Sequence, residues 1–174
     1  MAKVNKNTNE LRSYIDAWKS SQKYLEFKKE LEEKIKQISS TLDTTIEHTK
    51  KTIMGQTIDK KAVEESINSM FEFFELKDNE KEEYQILTFQ LCSGKNKEFL
   101  ISDYTQTIIM WHIYLVYFEQ KQEFELCAKI IKVLALERSE IENTLYFVYN
   151  YTEVECYILD EIEKQVKEKF FPKC

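Results

Sequence analysis

Only two glycines, Gly55 and Gly94, and a single proline, Pro172, punctuate this chain of 174 residues. Glycine supplies positive φ and proline removes a backbone donor, so a chain nearly free of both has few places to turn sharply or break a helix. Long helices joined by short loops are the expected result. The apolar residues agree, recurring at the three- and four-residue intervals of a helix face. We therefore expect an all-α fold: a bundle of five to six helices with a long N-terminal coiled-coil-like helix. The expected division is a helical arm over residues 1–55 and a bundle body over residues 56–174.

In the arm, Leu11, Ile15, Trp18 and Leu25 fall at the spacing of a coiled-coil seam. The stripe resumes with Leu31, Ile35, Ile38, Leu42 and Ile46, displaced by about one residue around Tyr24 to Phe27, which in one helix is a stutter or stammer. The lysines and glutamates between Lys28 and Lys36 are mixed in sign and read as a solvated face. The pattern weakens through the threonine-rich stretch Thr41–Thr57, and Gly55 marks the expected boundary.

In the body, Asp59 is placed to N-cap a helix carrying Val63, Ile67, Met70, Phe71 and Phe74. A turn is expected over Leu76–Asn79, with Asn79 and Glu82 opening the next helix to about Cys92. Gly94 suits the left-handed position after that helix. The following helix, from about Ser102 to Glu119, is apolar nearly all round and belongs at the centre. Ser139 with Glu142 and Thr152 with Glu155 have the Ser/Thr-x-x-Glu form of capping boxes. The last helix, with Val154, Ile158, Ile162, Val166 and Phe170, should end before Pro172.

Composition excludes several functions. The 43% hydrophobic and 32% charged residues describe a globular chain, neither disordered nor membrane-embedded. The longest apolar run, Ile108 to Phe118, is interrupted by His112 and is about half the ~20 residues a spanning helix needs. The N-terminus has no apolar segment after its lysines, so a cytoplasmic protein without membrane insertion is expected. Residues 1–60 hold 12 basic against 9 acidic side chains, leaving 13 against 22 for the remainder. An acidic body of that kind argues against nucleic acid, whose phosphates need a dense cationic face.

Catalytic chemistry finds little to build on. Only His48 and His112 are present, and His112 sits in the most apolar stretch, where it reads as a satisfied core or pocket residue. The spacing of Cys92, Cys127, Cys156 and Cys174 contains no C-x-x-C, and the first three read as reduced thiols. Two isolated glycines cannot form a phosphate loop. No zinc, di-iron or calcium pattern appears, so no cofactor or metal is expected. Tyr146, Phe147, Tyr149 and Tyr151 crowd the junction of the last two helices, where some should line a groove or interface.

The stretches Ile130-Ile-Lys-Val-Leu-Ala-Leu-Glu-Arg-Ser-Glu-Ile-Glu142 and Phe74-Glu-Leu-Lys-Asp-Asn-Glu-Lys-Glu82 resemble the helix–turn–capped-helix units of the TerB-like tellurite-resistance family. The resemblance spans residues 60–150 and implies a small helical bundle. Where that family has an acidic Asp-Gly loop, this chain reads Glu119-Gln-Lys-Gln-Glu-Phe124, so no metal ligand carries over.

The expected function is a non-enzymatic interaction module: an adaptor, inhibitor or immunity-type protein of a bacterial cell. It would bind a protein partner or itself through Leu11, Ile15, Trp18 and Leu25, with Tyr146, Tyr149 and Tyr151 as a second candidate surface. The alternative is a stress-response or ligand-binding bundle of TerB-like type, with aromatic helices around Trp111 and Tyr146 enclosing a small apolar molecule or metal complex.

Overall fold

The computed structural model describes residues 21–54, 57–92, 94–149 and 153–172, together with Ser13 and Ala17. Among these the chain is all-α, with six helices: α1 (Gln22–Met54), α2 (Lys60–Asn79), α3 (Lys81–Cys92), α4 (Lys97–Gln120), α5 (Phe124–Tyr149) and α6 (Glu153–Phe170). The chain forms two compact units, residues 1–38 and 39–174.

In the first unit the described part of α1 shows the solvated charge pattern. Lys28–Glu32, Lys29–Glu33 and Glu30–Lys34 are i,i+4 pairs at 3.7, 3.9 and 3.1 Å, all exposed and each worth a few tenths of a kcal/mol at most.

The second unit begins within α1, before Gly55. Leu42 and Ile46 are buried, so the apolar stripe continues through the threonine-rich stretch. Thr45, Thr49 and Thr52 each donate to the carbonyl one turn back, which satisfies their hydroxyls without leaving the helix. Gln165 donates to Ser39 Oγ at 2.8 Å, and Lys169 pairs with Asp43 at 2.7 Å.

α4 is the central element, as its nearly continuous apolar surface requires: Ile108, Ile109, Trp111, Ile113 and Phe118 are all buried. On one side Trp111 and Phe118 pack into a cluster with Val63 and Ile67 of α2 and with Leu126, Cys127, Ile130 and Val133 of α5. Along another side α6 lies parallel to α4. The pairs Lys97–Glu155, Tyr104–Glu163 and His112–Phe170 advance together along both helices. α5 runs opposite, with Arg138 beside Glu163 and Cys127 beside Leu115.

Several boundaries differ from the sequence expectations. Asp59 does cap α2, accepting from the Lys61 N–H at 2.9 Å. The expected turn over Leu76–Asn79 is helical instead; the chain bends at Glu80, because nothing in that stretch forbids α geometry. α4 starts at Lys97, ahead of Ser102, because Asn96 caps it by accepting from the Phe99 N–H at 2.7 Å. Ser139 starts no helix: α5 runs through it, and Glu142 pairs with Arg138. Ile130, Val133, Ile141 and Leu145 keep one helical register across Ser139, so a break there would expose buried surface. Both stretches that carry the family resemblance accordingly lie largely within helices. Thr152 lies outside the described residues, and α6 begins at Glu153.

Gly94 does not adopt positive φ. Among the described residues it is Gln122, between α4 and α5, that is left-handed, at φ 59°. There the Gln122 N–H bonds to the Glu119 carbonyl and the Glu123 N–H to the Phe118 carbonyl, the paired bonds of a Schellman motif.

Candidate functional site

A cleft of about 630 Å³ opens between α4, α5 and α6. Its walls combine Ile108 and Leu115 of α4 with Cys127, Ile131, Leu134 and Ala135 of α5, and Phe171 lies just past α6. Phe124 and Ile131 reach its rim while 64% and 56% exposed.

One end of the cleft is polar and internally compensated. Arg138 Nε donates to Glu142 at 2.7 Å, Nη2 to Asp160 at 2.8 Å and Nη1 to Glu163 at 2.9 Å. Burial opposes the guanidinium charge, but the bonds to Glu142 and Glu163 outweigh it and raise the Arg138 pKa above its ordinary value. The Tyr104 hydroxyl also donates to Glu163, and its pKa is pushed up by burial and then by that carboxylate. Lys167, one turn beyond Glu163, lines the same space and has no carboxylate partner among the described residues.

His112 is part of the cleft wall. Its Nδ1 lies 2.7 Å from the Ile108 carbonyl, an acceptor, so Nδ1 carries the proton. Burial lowers its pKa, opposed by that bond and by Glu163, with Lys167 lowering it further. Its ring stacks on Phe170 at 5.8 Å between centroids. Cys127 lines the cleft too, but its thiol faces the Leu115 carbonyl at 3.8 Å and burial raises its pKa. The raised pKa favours the thiol form of Cys127 over the reactive thiolate.

A second feature is the outer face of α3. Ile86, Leu87, Phe89 and Leu91 are 60%, 50%, 54% and 66% exposed, while Thr88 is buried. The apolar residues thus point outward from a helix of 12 residues. Its polar groups anchor it from within: the Tyr84 hydroxyl donates to Glu140, and the Tyr149 hydroxyl to the Cys92 carbonyl at 3.1 Å. Glu82 and Glu83 on this helix are exposed, as are Glu72, Glu75 and Glu80 in the chain just before it.

Of the residues expected to interact, Leu11, Ile15, Trp18 and Tyr151 lie outside the described residues, and Leu25 is exposed on α1. Tyr146 is exposed with Phe147 packed edge-on at 5.4 Å, whereas Tyr149 is committed to Cys92. Trp111 is in the core, and neither it nor Tyr146 is among the residues that line this cleft. Sequence reasoning passed over Ile86, Leu87, Phe89 and Leu91, although their crowding around a polar Thr88 was a visible signal. It also passed over Arg138 and Lys167, whose partners come from distant parts of the chain. Among the described residues no helix is long and apolar enough to cross a membrane. Comparisons with protein-family models, curated proteins and solved structures find no match.

Proposed function

We propose that this protein is a non-enzymatic interaction module that docks a protein partner on the outer face of α3. The observation that carries this reading is the outward placement of Ile86, Leu87, Phe89 and Leu91 on one short helix. Full burial of a large apolar side chain is worth about 1.5–3 kcal/mol; these are half to two-thirds exposed, so a partner surface recovers a corresponding share for each. The carboxylates around this face select a partner whose apolar residues are bordered by lysine or arginine, and they disfavour a second copy of the same acidic face. An adaptor, inhibitor or immunity-type role fits such a surface, with Leu25 and the seam that precedes it as a further contact.

A photocrosslinking residue at Leu87, introduced into the full chain in its native cell, tests the reading. The expected product is one heterologous protein. With that protein purified, the pair Leu87→Ser and Phe89→Ser should weaken binding by at least about tenfold. Crosslinks to the chain itself alone, or undiminished binding by the variant, would overturn it.

A further inference from the structure

The groove between α4 and α5 is covered by α6 along only part of its length. α6 runs parallel to α4 until Phe170 stacks on His112, and Pro172 follows. α4 continues from His112 to Gln120, about 12 Å further at 1.5 Å per residue. The open cleft runs beside the last turns of α6 and on past its end, walled largely by apolar side chains and within the roughly 300–1,000 Å³ range of small-ligand sites.

The charges around it are unequal in what they still need. Arg138 and Glu163 are bonded to each other, and Tyr104 completes Glu163. Glu119 is exposed on the last turn of α4, close to bulk water. Lys167 lines the cleft with no carboxylate partner among the described residues, close enough to His112 to influence its ionisation. Lys167 is itself exposed, so an apolar occupant would displace only part of its water, but it would return nothing for that loss. An occupant with its own carboxylate restores the pair and fills the apolar remainder.

We propose that this cleft binds an amphipathic monocarboxylate, its carboxylate on Lys167 Nζ and its hydrocarbon body against Leu115, Cys127, Ile131 and Leu134. The site is separate from the α3 face, and neither reading depends on the other.

Calorimetric titration of the full chain with decanoate, decanol and decyltrimethylammonium, each below its micellar concentration, tests it. Decanoate should bind saturably, one to one, and more tightly than either of the others. Lys167→Glu should weaken decanoate about tenfold or more while leaving decanol unchanged. Ala135→Trp, at an exposed position in the wall, should block both, and Leu87→Ser should change neither. Lys167 and Ala135 are exposed, so unaltered thermal melts establish that these variants fold; Lys167→Met serves in place of Lys167→Glu if its melt is shifted. Non-saturable decanoate binding, equal or tighter binding of the cationic amphiphile, full decanoate affinity in the Lys167 variant, or loss of binding in Leu87→Ser would each overturn the proposal.

Discussion

Lys97 and Glu155, far apart in sequence, meet at 2.6 Å where α4 and α6 begin, and the Glu155 side chain is only 6% exposed. The pair lies in the same parallel register as Tyr104–Glu163 and His112–Phe170. Removing the lysine takes the countercharge from a carboxylate in a dry position, whereas neutralising the glutamate leaves a lysine that can reach water. Lys97→Met should therefore cost about 1–3 kcal/mol in urea unfolding, less than the full penalty of a wholly buried pair because Lys97 is one-third exposed, and Glu155→Gln should cost less. Equal losses would show that the pair does not behave asymmetrically.

Arg138 should be the most demanding surface-proximal position of the bundle. Its side chain is 17% exposed, and its guanidinium separates three carboxylates, on Glu142, Asp160 and Glu163, that would otherwise repel one another. Those carboxylates are themselves partly in water, so Arg138→Met should lose about 1–3 kcal/mol. Arg138→Lys should recover only part of this, since an ammonium cannot reproduce the fork. Chemical denaturation of both variants checks the order.

His112 should make stability depend on pH. Burial lowers its folded-state pKa below the ordinary value near 6.5, so below about that value the unfolded chain takes up the proton more readily. Its contribution is then intact above about pH 6.5 and is lost as the pH falls from there toward the folded-state value. Melting temperatures measured between about pH 8 and 5 should fall more steeply for the wild type than for His112→Gln. Parallel curves would refute this.

Gly94 and Gln122 should respond in the same direction to opposite substitutions. Gly94 lacks positive φ, and a Cβ built there meets nothing within 4 Å, so Gly94→Ala should stabilise by about 0.4–1 kcal/mol. Gln122 does occupy the left-handed region, and Gln122→Gly should relieve roughly 1 kcal/mol of strain, partly offset by unfolded-state entropy. A rise in melting temperature for each is the expected readout.

The two polar residues considered for helix starts should also separate. Asn96→Ala removes a cap to Phe99 and should cost about 1 kcal/mol. Ser139→Ala, within α5, should be neutral or slightly stabilising. Thermal unfolding of the two variants suffices.

By itself the sequence determined the helical class, the central place of α4, the end of α6 before Pro172 and most of the core, because helix periodicity and the scarcity of glycine and proline act locally. Val63, Ile67, Ile158, Ile162 and Val166 were legible for that reason, and they are buried. Only the tertiary structure decided which start signals were used. A capping motif is satisfied by a few hydrogen bonds, and at Ser139 an unbroken buried stripe outweighs them. It also decided that α1 joins the bundle before Gly55 and that α3 turns its apolar side outward. Likewise it brought Arg138 to Glu163 and left Lys167 lining an uncovered groove. Each of these depends on which helix lies beside which, and that is set by the fit of whole faces, a property no window of neighbouring residues contains.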